Sequence, residues 1–288
     1  MNTKTANLPF IGVDIGGSHI TASHVDCKSY KVIESTMTRI RVASMDTAEV
    51  IINSWVEALS PMIVESAEGD IKLGIAMPGP FDYENGISLM KGQEKYDSLY
   101  GMNVREILSD RLGIPGEHIV FINDAEAFLR GELASGAASD FEKAIGVTLG
   151  TGLGSSSNCK GEPVDVNRAF VPFLDSIAEE YISTRWFLKR YKELTGQSVK
   201  NVEDLLSTTD QGIKDQLFEE FATNLANFLN DFIADENPEV LVVGGNIAKT
   251  WNHFMPALQS KIVNKKVVIR QTEMWEDAAL VGAACSWI

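Results

Sequence analysis

Along the first half of the chain, short apolar runs alternate with polar stretches, and several of the runs end in glycine. Residues 10–14 and 20–25 read as strands on either side of Gly16-Gly17, which makes that dipeptide a hairpin turn, and a third strand is expected around 31–40. Val50, Ile51, Trp55, Val56 and Leu59 then recur at helical spacing, with Asp46 expected as N-cap and Glu49 completing a capping box. A buried strand over 71–76 runs into Met77-Pro78-Gly79-Pro80, a stiff loop. A helix over 104–112, closed by Gly113 and Pro115, a strand over 119–122 and a helix over 125–133 follow.

Residues 143–149 restart the opening pattern of strand and glycine turn, a faint internal repeat of the kind a duplicated lobe leaves. The second half is then expected to be helical over 177–195 and 211–237, with a strand over 239–243 that ends in Gly244-Gly245-Asn246. A helix over 251–262, a strand over 267–270 and a small-residue helix over 277–287 complete the chain. No linker or low-complexity segment interrupts it.

The glycine turns carry the chemistry. Glycine lacks a Cβ, so backbone N–H groups at a strand end can approach phosphate oxygens closely. Two such turns, Gly12-Val13-Asp14-Ile15-Gly16-Gly17-Ser18 and Leu149-Gly150-Thr151-Gly152-Leu153-Gly154, suggest a nucleotide held between two related lobes, with Asp14 facing the metal that accompanies its phosphates. Each turn alone also suits a plain β-turn. A P-loop is excluded, because Lys249-Thr250 has Val243 and Ala248 where its glycines belong. A dinucleotide fingerprint fails at Ser155, and Ser155-Ser156-Ser157-Asn158 reads as turn chemistry rather than a helix start.

The 288 residues suffice for two cored lobes, and a net charge of −15 argues against a nucleic-acid partner held through phosphates. Cys27, Cys159 and Cys285 stand far apart and odd in number, so neither a disulfide framework nor a Cys-x-x-Cys metal site is expected. The first residues carry no apolar signal core and no run approaches membrane-spanning length. The expectation is a cytoplasmic protein with no membrane partner.

Taken in order, Asp14-Ile15-Gly16-Gly17-Ser18, Gly74-Ile75-Ala76-Met77-Pro78-Gly79-Pro80, Asn123-Asp124-Ala125 with Gly131-Glu132, Leu149-Gly150-Thr151-Gly152-Leu153-Gly154 and Val242-Val243-Gly244-Gly245-Asn246 resemble the ROK family, which joins bacterial sugar kinases such as glucokinases with repressors. The resemblance covers nearly the whole chain. It implies an α/β, two-lobed actin-like ATPase (ribonuclease H-like) fold with a central cleft, an N-terminal lobe of residues 1–122 completed by helix 277–288, and a C-terminal lobe of residues 123–276. It implies an ATP-dependent carbohydrate kinase that uses Mg²⁺, takes a small sugar and forms a homodimer. Asp14, Gly16, Gly17 and Ser18 would form the first phosphate site, with Asp14 as the magnesium residue, and Gly150, Thr151 and Gly152 the second. Gly244 and Gly245 would lie beside the adenosine. Asp124 matches the catalytic base, and Pro78, Gly79 and Asn123 would place the sugar. A carboxylate at a strand end can accept a sugar hydroxyl proton as the oxygen attacks phosphorus, although Asn-Asp also suits a helix N-cap.

The chain departs from that family where its sugar kinases carry Glu-x-Gly-His and then Cys-x-Cys-Gly-x-x-Gly-Cys, a zinc motif. After Lys160-Gly161-Glu162-Pro163 it has Val164 to Phe173 instead and resumes a family-like helix at Ala178, so no structural zinc is expected. His19 stands where many relatives have lysine and reads as a hairpin side chain. Lys91 and Lys95 suit either recognition of an anionic or polyhydroxyl substrate or an exposed lysine-rich loop. The alternative function is a non-catalytic sugar- or nucleotide-binding regulator on the same fold. A DNA-reading repressor is not expected, since roughly nine residues precede the first strand, too few for a domain.

Overall fold

The computed structural model describes residues 10–65, 71–93, 95–208 and 210–288. Residues 1–9, on which the expectations about a leader and an N-terminal domain rest, and Glu94 of the lysine-bearing loop lie outside the described residues. The chain forms two compact units, residues 1–135 with 276–288 and residues 136–275.

The first unit opens with β1 (Phe10–Ile15) and β2 (His19–Asp26), an antiparallel hairpin that closes with Ile15 opposite Ile20. β3 (Lys31–Val32) and β4 (Thr38–Arg41) both pair with β2, so the strand expected around 31–40 is two short strands flanking a 3-10 turn. Thr36 Oγ1 imposes the break, accepting from the His24 N–H at 3.0 Å and bonding to Ser23 Oγ at 3.0 Å. Helix α1 (Ala48–Glu65) runs on through Pro61. Thr47, rather than Asp46, caps it: Thr47 Oγ1 accepts from the Val50 N–H, while Asp46 Oδ1 accepts from the Thr47 N–H just outside the helix. β5 (Lys72–Met77) lies parallel to β1, followed by a small hairpin of β6 (Phe81–Asp82) and β7 (Ile87–Ser88). α2 (Val104–Leu112) starts on an Asn103 side-chain cap and ends at left-handed Gly113. β8 (Ile119–Asn123), parallel to β5, completes the sheet β3-β2-β1-β5-β8 with β4 beside β2, and it feeds α3 (Asp124–Ser135).

The second unit repeats this opening. β9 (Ala144–Leu149) and β10 (Leu153–Ser157) form a glycine-turned hairpin. β11 (Val164–Asp165) extends it, and β12 (Pro172–Phe173) with β13 (Ser176–Ile177) makes a separate small hairpin. Then follow α4 (Thr184–Thr195), α5 (Val202–Thr208), α6 (Gln211–Glu236), β14 (Val240–Gly244), α7 (Trp251–Lys261) and β15 (Val268–Gln271). The order β11-β10-β9-β14-β15 matches the first sheet in plan: a hairpin, then two parallel strands. Its core is aromatic, with Phe187, Phe218, Phe221 and Phe254 buried together.

Two expectations fail here. Residues 155–157 are not a turn but the body of β10, and all three serines are buried. Their burial depends on distant partners, because Ser155 Oγ accepts from the Arg168 N–H at 2.8 Å and Ser157 Oγ donates to Glu236 at 2.8 Å. The helix expected from 177 begins only at Thr184, since Ile177 pairs across to Pro172 and the next residues form a 3-10 turn.

The chain then returns to the first unit as α8 (Asp277–Ala284). α8 crosses α3 with backbones nearly touching: a Cβ on Gly131 would overlap the Ala278 carbonyl, and one on Gly282 would overlap that of Ala127. This packing keeps α3 in the first unit, so the division falls after α3 and not before it, as residues 1–122 would have had it. Cys27 and Cys285, far apart in sequence, meet in the same unit with their sulfurs 3.1 Å from each other, both thiols buried and free.

Candidate active site

β1 carries Asp14 one residue before its end, and β8 delivers Asn123 as its last residue, so that Asp124 stands at the first turn of α3. Register places Asp14 opposite Ala76 on β5, and Ala76 in turn opposite Ile122 on β8. The two carboxylates therefore emerge at the same end of β1 and β8, parallel strands on either side of β5, the edge where open α/β sheets bind ligands.

Asn123 and Asp124 divide the work at the head of α3. Asn123 is buried; its Oδ1 accepts from the N–H groups of Ala125 at 2.7 Å and Glu126 at 3.3 Å, which is the N-cap function. Its Nδ2 donates to Tyr83 Oη at 3.1 Å, and Tyr83 Oη donates to the Met77 carbonyl at 3.0 Å. Tyr83 also faces Gly79, so one phenol ties the Pro78-Gly79 loop to Asn123. Asp124 is thereby released from capping: it is exposed, and one of its oxygens accepts from the Ala125 N–H at 2.9 Å. The helix N-terminus behind it favours negative charge.

The electrostatics are strained in one direction. Burial, then the neighbouring charges of Asp124 and Glu276, push the Asp14 carboxyl up to about 7, with Arg39 opposing them. Arg39 is itself paired with Glu276. Desolvation by the surrounding protein also raises Asp124, opposed first by the Lys95 charge. Neither Asp14 oxygen has a hydrogen-bond partner among the described residues. A partly buried carboxylate without a hydrogen-bond partner among the described residues, close to a second carboxylate, offers oxygen donors that a hard cation could use. Mg²⁺ bound with nucleotide takes one or two carboxylates and completes its shell with phosphate and water oxygens, so this donor set fits it. Among the described residues no three His, Cys, Asp or Glu side chains converge as a self-sufficient metal cage.

The Gly16-Gly17-Ser18 turn lies beside Asp14. Gly16 N–H closes the turn onto the His19 carbonyl at 2.9 Å, whereas the N–H groups of Gly17 and Ser18 have no acceptor among the described residues and both residues are exposed. Ser18 Oγ bonds to His19 Nδ1 at 2.9 Å, which leaves His19 a hairpin residue at the start of β2. Tyr96 holds the turn from below: fully buried against Trp55, it donates its hydroxyl to the Gly16 carbonyl at 2.5 Å.

The second unit makes the same device. Gly150 N–H closes onto the Gly152 carbonyl at 3.0 Å, and Thr151 and Gly152 N–H groups are left without acceptors among the described residues. The space beside Gly150 is open, while Glu179 lies over Gly152 and accepts from the Leu153 N–H at 2.9 Å. Gly244 pairs with Thr148 in register, and Gly245, at φ +85°, sits so close to Leu149 that a Cβ would overlap its backbone. The sequence-derived residues thus gather into two sets, one per unit: Asp14, Gly16, Gly17, Ser18, Pro78, Gly79, Asn123 and Asp124 in the first, and Gly150, Thr151, Gly152, Gly244 and Gly245 in the second. Sequence reading passed over Tyr83, Tyr96 and Glu179, whose partners are set by the fold; nothing in their neighbourhoods along the chain marks them.

The ROK family model matches residues 10–165. The chain is 24% identical to a glucokinase of Thermotoga maritima over 96% of each sequence. It is 27% identical to a beta-glucoside kinase of Listeria innocua over 82% of this chain and 86% of that one. A solved ROK family glucokinase from Streptomyces griseus, in complex with glucose and AMPPNP, superposes with a TM-score of 0.73 at 22% identity, covering 96% of this chain and 98% of that one.

Proposed function

Since the chain belongs to the ROK family and has its actin-like ATPase fold, we infer that it is an ATP-dependent sugar kinase that moves the γ-phosphoryl group of Mg²⁺–ATP to a hydroxyl of a hexose or hexose derivative. The observation that carries this reading is the division of labour at the head of α3: Asn123 takes the cap, and Asp124 is left exposed near a glycine turn whose Gly17 and Ser18 N–H groups have no acceptor among the described residues. In the reaction the acceptor oxygen forms a bond to the γ-phosphorus, the bond from that phosphorus to the bridging β,γ-oxygen breaks, and ADP leaves. Asp124 accepts the hydroxyl proton. The free N–H groups of Gly17 and Ser18, and those of Thr151 and Gly152, suit phosphate oxygens, and Gly244-Gly245, packed against Leu149 at the end of β14, would lie beside the adenosine. Asp14 would hold the magnesium, directly or through water, and that ion would neutralise phosphate charge. Pro78 and Gly79, tied to Asn123 through Tyr83, would position the sugar.

Relatives named for glucose and for beta-glucosides support a pyranose acceptor. We further propose a cytoplasmic homodimer, in line with the family resemblance; among the described residues no helix is long and apolar enough to cross a membrane. The test is ADP release across a panel of hexoses, amino sugars, N-acylated sugars and beta-glucosides, for wild type and Asp124→Asn. The substitution should lower kcat by about 10²–10⁴ and leave nucleotide affinity nearly unchanged. Binding of a sugar without turnover of any panel member would instead support the non-catalytic regulator.

A further inference from the structure

The loop that follows β7 brings two lysines toward the first unit's site, and the fold separates their roles. Lys91 lies over the ring of Tyr100, 4.8 Å from its centroid, an exposed cation–π pair. Lys95 goes the other way. Its neighbour Tyr96 adopts the left-handed region at φ +58°, is fully buried, and is anchored twice: its N–H donates to the Ser44 carbonyl at 2.6 Å and its hydroxyl to the Gly16 carbonyl at 2.5 Å. This anchor fixes the Lys95 backbone beside the phosphate turn. The Lys95 stem then crosses Gly17, with its Cδ 3.9 Å from the point where a Gly17 Cβ would stand. The ammonium has no ion pair or hydrogen bond among the described residues.

We propose that Lys95 is a further catalytic residue of the phosphoryl transfer: its ammonium contacts the phosphoryl oxygens as the group passes between the Gly16-Gly17 turn and Asp124. The inference rests on the kinase reading above. It follows from charge balance in the first unit. The phosphoryl group arrives with negative charge and meets Asp14 and Asp124; Arg39 is occupied by Glu276. Like charges crowded in a partly buried site oppose entry unless cations answer them. The magnesium would answer part of that charge, and Lys95, with no ion pair or hydrogen bond among the described residues, already reaches over the turn. Its influence extends to Asp124, whose carboxyl it draws back toward ionisation. A compact ammonium with three donors suits oxygens whose positions change during the transfer.

Two readouts test this on the full-length protein. Calorimetry compares Mg²⁺–ADP alone with Mg²⁺–ADP plus aluminium fluoride, a mimic of the phosphoryl group in flight, and steady-state kinetics separates kcat from the sugar KM. Lys95→Met should bind Mg²⁺–ADP within about threefold of wild type, and should lose about 100-fold in both fluoride-complex affinity and kcat, the scale seen when one donor to a transition-state charge is removed. Lys95→Arg should recover part of both, and Lys91→Met should change neither. If Lys95→Met raises the sugar KM and spares kcat, Lys95 is a substrate-recognition residue and the proposal is overturned. Equal loss on both nucleotide complexes, or no loss on either, overturns it as well. A wild-type protein that binds nucleotide and tightens on fluoride confines such a failure to Lys95, whereas one that binds neither complex removes the kinase reading and this proposal with it.

Discussion

Asp14 should make the ligand-free protein less stable, and removing its charge should stabilise it. Its carboxyl stands at about 7 in the folded chain against 3.8 for an unperturbed aspartate. Between those values the native state holds a proton that the unfolded chain has released, so native stability falls as pH rises through this window. Below about 4 the penalty is absent, and above about 7 it is complete. Each tenfold difference in proton affinity is worth about 1.36 kcal/mol, so the interval from 3.8 to about 7 sets an upper limit of about 4 kcal/mol. Water reaching this partly buried group reduces the effect, and we expect roughly 2–4 kcal/mol. Asparagine resembles the protonated acid in shape and carries no charge. In chelator and without nucleotide, Asp14→Asn should match wild type near pH 4 and exceed it by that amount at pH 8, read from urea unfolding midpoints at constant slope. The order should change when Mg²⁺ and ATP are added, because a ligand stabilises the native state in proportion to its affinity and the variant lacks the carboxylate that would hold the metal. A difference between the two proteins that stays flat from pH 4 to pH 8, or a variant weaker than wild type at pH 8, would refute the reasoning.

Two substitutions separate ligand approach from packing. Gly150→Val places a branched side chain in space with no described protein atom within 4 Å, so unfolding midpoints should hold while nucleotide affinity drops, by calorimetry, at least tenfold; normal binding would remove this turn from the proposed phosphate site. Gly282→Ala drives a methyl group into the Ala127 carbonyl, and because both sides of that contact are helix backbone, α3 and α8 must separate. The loss should be roughly 1–3 kcal/mol or more in urea unfolding, and an unchanged midpoint would show that the crossing has slack.

Much of the scaffold was legible along the chain because its signals are local. The alternation of 10–14 and 20–25 around two glycines predicts the first hairpin, and β1 and β2 pair across that turn. The helix over 104–112 carries its own side-chain cap and its own glycine stop, and its bounds agree with those expected. Turn chemistry and periodicity need only neighbouring residues, so the glycine turns on β1, β9 and β14 could be read before any fold was known.

What tertiary structure alone decided involves partners far away in sequence. Serines 155–157 look like a turn until Arg168 and Glu236 satisfy two of their hydroxyls inside a buried strand. Cys27 and Cys285 are 258 residues apart, and they meet because α8 returns to the first sheet. In the site, Asn-Asp at the end of β8 fits a cap or a base equally well by residue type. The division becomes visible only once Tyr83 fixes the Asn123 amide and Oδ1 takes the helix N–H groups, leaving Asp124 exposed. Lys95 likewise suits substrate recognition or a plain exposed loop by residue type until Tyr96, 80 residues from Gly16, bonds to that turn and carries the lysine over it. Local sequence sets which backbone shapes are cheap; which polar groups are satisfied, and which are left free for a ligand, depends on hydrogen bonds and burial that exist only after distant segments come together.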